Sequence, residues 1–231
     1  MVRLLITDRN FQLEVFIMER PKAIIFDLDG VLTDTSEYHY LAWKHLADDE
    51  GIPFTPEEND EHLRGVSRRE SLMYIIRGRH YSESQIQEMM DRKNNYYNEM
   101  IKTMTPKDLV PGGRELLQEI RQAGIKVAIA SGSKNARIVI EHLEIMDLLD
   151  AVADGYCVSN SKPAPDIFVF AAGMVDTPTP QSLVVEDADA GIEAAKKGGM
   201  QGLGIGPEER FHQADKVLPT LANKHLQDLI D

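Results

Sequence analysis

Two carboxylates one residue apart, Asp27 and Asp29, close the apolar run Ala23-Ile-Ile-Phe26 and are followed by Gly30. On an extended chain this spacing puts both side chains on one face, with Cα atoms roughly 6.6 Å apart. Apolar residues without alternation read as a strand buried on both faces of a parallel sheet, and Gly30 permits a sharp exit close to a ligand. Two carboxylates at a sheet edge repel each other unless a cation or a shared proton relieves them, so Mg²⁺ is the first partner to expect. A plain Asp-Gly turn without chemistry is the alternative reading.

Further segments end in groups suited to phosphoryl transfer. Ser131-Gly-Ser-Lys-Asn135 follows an apolar run from Lys126, and Glu186-Asp187 closes Ser182-Leu-Val-Val. Lys162 lies in Ser161-Lys-Pro-Ala-Pro165, where prolines restrain the backbone around a cation. Singly these are weak signals. Glu186-Asp187 and the two serines also suit helix caps, and Lys162 a solvated loop.

These residues must be positioned by the elements between them. Strands are expected at 23–26, 126–131, 151–153, 182–186 and 202–206, separated by helices at 113–123, 135–146, 166–174 and 188–197. Such alternation means an α/β fold, a doubly wound parallel sheet whose ligands sit beyond the strands' carboxyl ends. Helical spacing over 35–50, 67–78 and 82–104 makes residues 34–105 an inserted helical domain hanging over the active edge as a lid. The α/β core is then 18–33 with 106–231. Residues 1–17 are a separate N-terminal extension: one reading is a hairpin with strands at 2–7 and 11–17 around Asp8-Arg9-Asn10, and the preferred one is an upstream translation ahead of a natural start at Met18.

Composition excludes some classes. The 231 residues are 42% hydrophobic and 27% charged, without the long apolar run of a membrane span. A net charge of −13 argues against nucleic acid, which needs a basic face. The single cysteine, Cys157, permits no internal disulfide and fits a reducing cytoplasm; nothing near it suggests an activated thiolate.

The order Asp-x-Asp, Ser after a strand, Lys-Pro, then Glu-Asp resembles the haloacid dehalogenase (HAD) superfamily, from about residue 23 to near the C-terminus. Gly65-Val-Ser-Arg68, Trp43 and His39 in the helical insertion narrow the resemblance to the β-phosphoglucomutases within it. The resemblance implies a HAD-like Rossmannoid core with a helical cap, Asp27 as nucleophile and Asp29 as general acid–base. It assigns Ser131 and Lys162 to phosphoryl stabilisation and Thr35 to the lid hinge. One Mg²⁺ per chain would be held by Asp27, the Asp29 carbonyl, Glu186 and Asp187. Arg68, Ser133, Lys134 and Asn135 would grip a second phosphate, and His39, Trp43, Gly65, Val66 and Lys93 would line the sugar pocket; lid packing is the other reading of Trp43. Arg64 stands where a lysine is usual. The implied partner is a small sugar phosphate, with glucose 1,6-bisphosphate as priming donor and the chain acting as a monomer. A sugar-phosphate phosphatase of the same fold shares every core residue. A non-enzymatic receiver domain also presents an acidic cluster, but it needs neither the helical insertion nor Asp29.

Overall fold

The computed structural model describes residues 20–63 and 66–231, together with the short paired segments 7–8 and 11–12. In that pair β1 (Thr7–Asp8) runs antiparallel to β2 (Phe11–Gln12), with Asp8 opposite Phe11. Asp8 is therefore a paired residue rather than part of the expected turn. The rest of the expected 1–17 hairpin lies outside the described residues.

Six strands form one parallel sheet: β3 (Ala23–Phe26), β4 (Lys126–Ala130), β5 (Ala151–Ala153), β6 (Ser182–Glu186), β7 (Gln201–Ile205) and β8 (Lys216–Leu218). Their spatial order is β5-β4-β3-β6-β7-β8. The chain moves outward from β3 through β4 to β5, then returns to place β6 on the other side of β3. The β3–β6 boundary is thus the switch point where open α/β sheets form a ligand crevice.

The unbroken apolar runs are explained by burial on both faces. Ile24 and Phe26 point to one side, packing with Leu116, Leu117 and Ile120 of α5 (Gly113–Gln122) and Val139 and Ile140 of α6 (Ala136–His142). Ala23 and Ile25 point to the other, against Phe168, Ala171 and Ala172 of α7 (Asp166–Met174) and Ala194 and Ala195 of α8 (Asp189–Lys197). All four β3 residues are fully buried.

Between β3 and α5 come α1 (Ser36–Asp49), α2 (Pro56–His62), α3 (Arg68–Ile75) and α4 (Glu83–Ile101). Trp43, Leu46, Leu72, Ile75, Ile86 and Met89 form their own core, whereas Tyr97, Ile101 and Met104 join the core beside the sheet. This distribution fits a lid with its own interior, anchored through the C-terminal half of α4. Among the described residues no helix is long and apolar enough to cross a membrane.

Several elements depart from expectation. Helix α2 is almost wholly polar and has no hydrophobic period, but Thr55 and Glu58 close a capping box with Pro56 in the first turn, a readable start signal. The helix expected over 135–146 stops at His142, and Glu144 takes φ 54°, the left-handed conformation that ends helices. Strand β7 begins one residue early at Gln201. The three-residue edge strand β8 and the five-residue α9 (Leu226–Ile230) are too short for periodicity to reveal.

Candidate active site

Sheet register builds the acidic centre. Phe26 pairs with Val185, so the next residues, Asp27 and Glu186, stand side by side at the sheet's carboxyl edge, and the Asp27 N–H donates to the Val185 carbonyl at 2.9 Å. Asp187 follows on the loop into α8. One oxygen each from Asp27, Glu186 and Asp187 lie within 4.8 Å of one another. Three hard oxygen donors at a sheet edge are the chemistry of a Mg²⁺ site, so the residues present fit that ion.

Lys162 enters this cluster from the loop before α7. Its Nζ donates to Asp27 Oδ1 and Glu186 Oε1, both at 2.6 Å, with only 14% of the side chain exposed. Burial works against its charge, but the two carboxylates more than offset that and raise its pKa. Burial pushes the Asp27 carboxyl well above the usual carboxylate range; Lys162 opposes this, while Glu186, Asp29 and Asp187 add to it. An electron-rich centre short of positive charge is the consequence.

Asp29 takes a different direction. Its carboxylate accepts from the Thr35 hydroxyl on one oxygen and from Ser131 Oγ at 3.5 Å on the other, and it is not part of the three-carboxylate cluster. Burial raises its pKa, against the Thr35 hydrogen bond and the charge of Lys162. Gly30 next to it has φ +86°, and a Cβ there would stand 2.3 Å from Asp187 Oδ2, so only glycine lets the chain turn this close to the cluster. A Cβ on Gly191 would likewise stand 2.0 Å from Glu186 Oε1.

The loop after β4 continues the site outward. The Ser133 N–H donates to Ser131 Oγ at 3.0 Å, and the Asn135 N–H to Ser133 Oγ at 3.2 Å. Asn135 is buried and its Nδ2 reaches Asn94 Oδ1 of α4 at 2.8 Å, tying this loop to the lid. Lys134 is exposed, with its Nζ 5.1 Å from the ring centroid of Tyr156.

Inside the lid, Lys93 is 3% exposed. Its Nζ lies 2.8 Å from His39 Nδ1 and 4.9 Å from the ring centroids of both Trp43 and Tyr97. With Lys93 donating, Nδ1 is the acceptor and the imidazole proton sits on Nε2. Burial, then the charge of Lys93, then that of Arg68, hold His39 well below its ordinary pKa. Burial followed by Arg68 does the same to Lys93. Arg68 is thus close enough to act on both, held at the start of α3 by the Ser67–Glu70 capping box. Trp43 is 4% exposed and belongs to the lid core, so its tie to the site runs through Lys93. Val66 is exposed; Gly65 and Arg64 lie outside the described residues.

The structure therefore gathers Asp27, Asp29, Thr35, Ser131, Lys162, Glu186 and Asp187 at one edge, with Ser133, Lys134 and Asn135 beside them and His39, Lys93 and Arg68 on the lid. Sequence reasoning passed over Tyr97, which stacks on His39 with ring centroids 4.3 Å apart, because its helical spacing marks it only as core. It also passed over Asn94 as a hydrogen-bond partner of Asn135, since nothing local signals that pairing.

Comparison with known proteins agrees with this geometry. The model of the haloacid dehalogenase-like hydrolases matches residues 24–205. The chain is 44% identical over 201 residues to the β-phosphoglucomutase of Bacillus subtilis (strain 168), covering 85% of this chain and 88% of that protein. It is 30% identical over 186 residues to a phosphorylated carbohydrates phosphatase of Thermotoga maritima, covering 78% and 82%. A crystal structure of β-phosphoglucomutase from Clostridium difficile superposes with a TM-score of 0.85 at 37% identity, covering 90% of this chain and 95% of that one.

Proposed function

The chain belongs to the haloacid dehalogenase-like hydrolases, and within that family we propose that it is a β-phosphoglucomutase, interconverting β-D-glucose 1-phosphate and glucose 6-phosphate. The observation that carries this reading is the lid group of His39, Lys93 and Arg68, which a phosphatase sharing the core residues does not need. Its acid–base partner is Asp29, two residues from the nucleophile yet turned out of the acidic cluster and held by Thr35 just before the first lid helix. A carboxyl in that position can serve an oxygen atom on the side of phosphorus away from Asp27.

In the proposed reaction Asp27 attacks one phosphoryl group of glucose 1,6-bisphosphate and becomes an aspartyl phosphate, while Asp29 protonates the sugar oxygen of the departing monophosphate. Asp29 then takes the proton from the 6-hydroxyl of an incoming β-glucose 1-phosphate as that hydroxyl accepts the phosphoryl group from Asp27, giving β-glucose 1,6-bisphosphate. Reorientation of the bisphosphate returns its second phosphate to Asp27. Lys162 supplies positive charge and Ser131 a hydroxyl donor to the transferring oxygens. Asp27, Glu186, Asp187 and the Asp29 carbonyl would hold one Mg²⁺, which when bound screens repulsion between the carboxylates and the phosphoryl group. Glucose 1,6-bisphosphate would prime the cycle.

Arg68, with Ser133, Lys134 and Asn135, is the proposed grip on the phosphate not being transferred, since a guanidinium fork binds phosphate bidentately. His39, Gly65, Val66 and Lys93 are proposed to surround the sugar, with Trp43 packed behind Lys93 and Thr35 at the hinge. Closure would exclude water from the phosphoenzyme. The domain division at residues 34–105, a monomeric state and a cytoplasmic setting belong to the same proposal.

The Arg68→Ala variant separates this from a phosphatase that handles one phosphate at a time. Loss of a charged contact made only to the second phosphate should lower kcat/KM for the mutase reaction roughly 10- to 100-fold. Hydrolysis of p-nitrophenyl phosphate, which has no second phosphate, should change by less than about threefold. Steady-state kinetics on both substrates measures it, and equal losses would contradict the two-phosphate model.

A further inference from the structure

Arg210 is a cation that approaches the acidic centre from the segment after β7. It lies in the turn Glu208–Arg210 after β7, and its Nη1 donates to the backbone carbonyl of Asp187 at 2.9 Å. Two residues on, the His212 N–H donates to Asp189 Oδ1 at 2.9 Å, and His212 Nδ1 lies 2.7 Å from Asp189 Oδ2. Asp187 and the first residue of α8 are therefore each tied to a strap that comes from elsewhere in the chain.

Strand β7 is shaped to seat that strap. A Cβ on Gly204 would stand 2.7 Å from the Phe211 ring, and one on Gly206 would stand 2.9 Å from Arg210 Nη1. On its other flank the Asp187 carboxylate packs against Gly30. Asp187 is thus bounded by a glycine at its side chain and by Arg210 at its carbonyl, which leaves its carboxylate directed at Asp27 and Glu186.

We propose that Arg210 is a positioning residue for cation binding, acting through the Asp187 carbonyl to aim the Asp187 carboxylate into the three-carboxylate cluster. The proposal rests on the metal-dependent reading of that cluster. Two effects of Arg210 have opposite signs. Its charge, near three carboxylates, repels a divalent cation, so removing charge alone would strengthen cation binding. Its hydrogen bond orders a ligand, so removing that bond weakens cation binding. Partners that orient metal ligands are commonly worth 10- to 100-fold in affinity, and the ordering effect is expected to win.

The test is calorimetric titration of Mg²⁺ into the full chain without substrate, for the unmodified protein, Arg210→Gln and Arg210→Lys, with thermal unfolding alongside. Arg210→Gln should bind Mg²⁺ about tenfold more weakly. Arg210→Lys, which keeps the charge and a donor, should recover part of that loss. Sugar-phosphate turnover lost by Arg210→Gln at limiting Mg²⁺ should return at saturating Mg²⁺, with KM for the sugar phosphate unmoved. Binding by Arg210→Gln as tight as, or tighter than, that of the unmodified protein would overturn the proposal, because only the charge effect would then operate. An unmodified protein that takes up no Mg²⁺ would instead overturn the metal reading itself.

Discussion

Replacement of Asp27 by Asn should abolish turnover while leaving the fold intact. The amide keeps the size of the carboxyl and an oxygen that can accept from Lys162, which donates to Asp27 Oδ1 at 2.6 Å, so the local geometry has a reason to survive. It lacks a nucleophilic carboxylate oxygen, and without a covalent intermediate both half-reactions stop. By analogy with nucleophile deletions in other covalent catalysts, the expected fall in kcat is on the order of 10⁴-fold or more. Stability should move the other way. Burial, together with Glu186, Asp29 and Asp187, raises the folded-state pKa of Asp27 despite Lys162. A carboxyl whose folded pKa lies above its unfolded value costs stability once pH exceeds the unfolded pKa, and that cost grows until pH reaches the folded pKa. At neutral pH without metal the Asn variant should therefore unfold at the same temperature as the unmodified protein or higher. Steady-state kinetics and thermal unfolding check both halves. Intact mass after incubation with glucose 1,6-bisphosphate should show a phosphoryl adduct only when Asp27 is present.

Replacement of Asp29 by Asn should cost about 10²- to 10⁴-fold in sugar-phosphate turnover, the usual worth of general acid–base catalysis. The loss should depend on the leaving group. A sugar alkoxide needs a proton as it departs, whereas p-nitrophenolate does not. Formation of the phosphoenzyme from p-nitrophenyl phosphate should thus be reduced far less than formation from glucose 1,6-bisphosphate, when both are followed in single turnovers. The elevated pKa of Asp29, caused by burial against the pull of Thr35 and Lys162, suits a group that must give a proton in one half-reaction and take it in the next. Equal losses on both donors would place Asp29 outside proton transfer and leave it a structural partner of Thr35 and Ser131.

Both residues were legible in the sequence because a parallel sheet presents every strand's carboxyl end at one edge. Reading Ala23-Ile-Ile-Phe26 as a doubly buried strand was enough to place Asp27 at that edge, and the same logic carried Ser131 and Glu186-Asp187. Pairing Asp27 with Glu186 was not legible, since it depends on the return of the chain to the far side of β3, which no local pattern encodes. Lys93 shows a different limit. A lysine on a helix is ordinarily solvated, and only the resemblance marked it; its burial between two aromatic rings and His39 follows from how α1 packs on α4. Trp43 illustrates a choice that only packing could make, because an indole suits a sugar face and a lid core equally well and the structure puts it in the core. Arg210 was silent for the same reason as β8. Its role comes from where the segment after β7 crosses the sheet end, not from any spacing within that segment.

The most direct test of the proposed mutase follows β-glucose 1-phosphate with purified protein, Mg²⁺ and a trace of glucose 1,6-bisphosphate, recording glucose 6-phosphate and inorganic phosphate in the same samples. Glucose 6-phosphate formed without matching phosphate release is the expected result, and it would establish both phosphoryl return to sugar and exclusion of water. Phosphate release that keeps pace with substrate loss would contradict the mutase and make the protein a sugar-phosphate phosphatase.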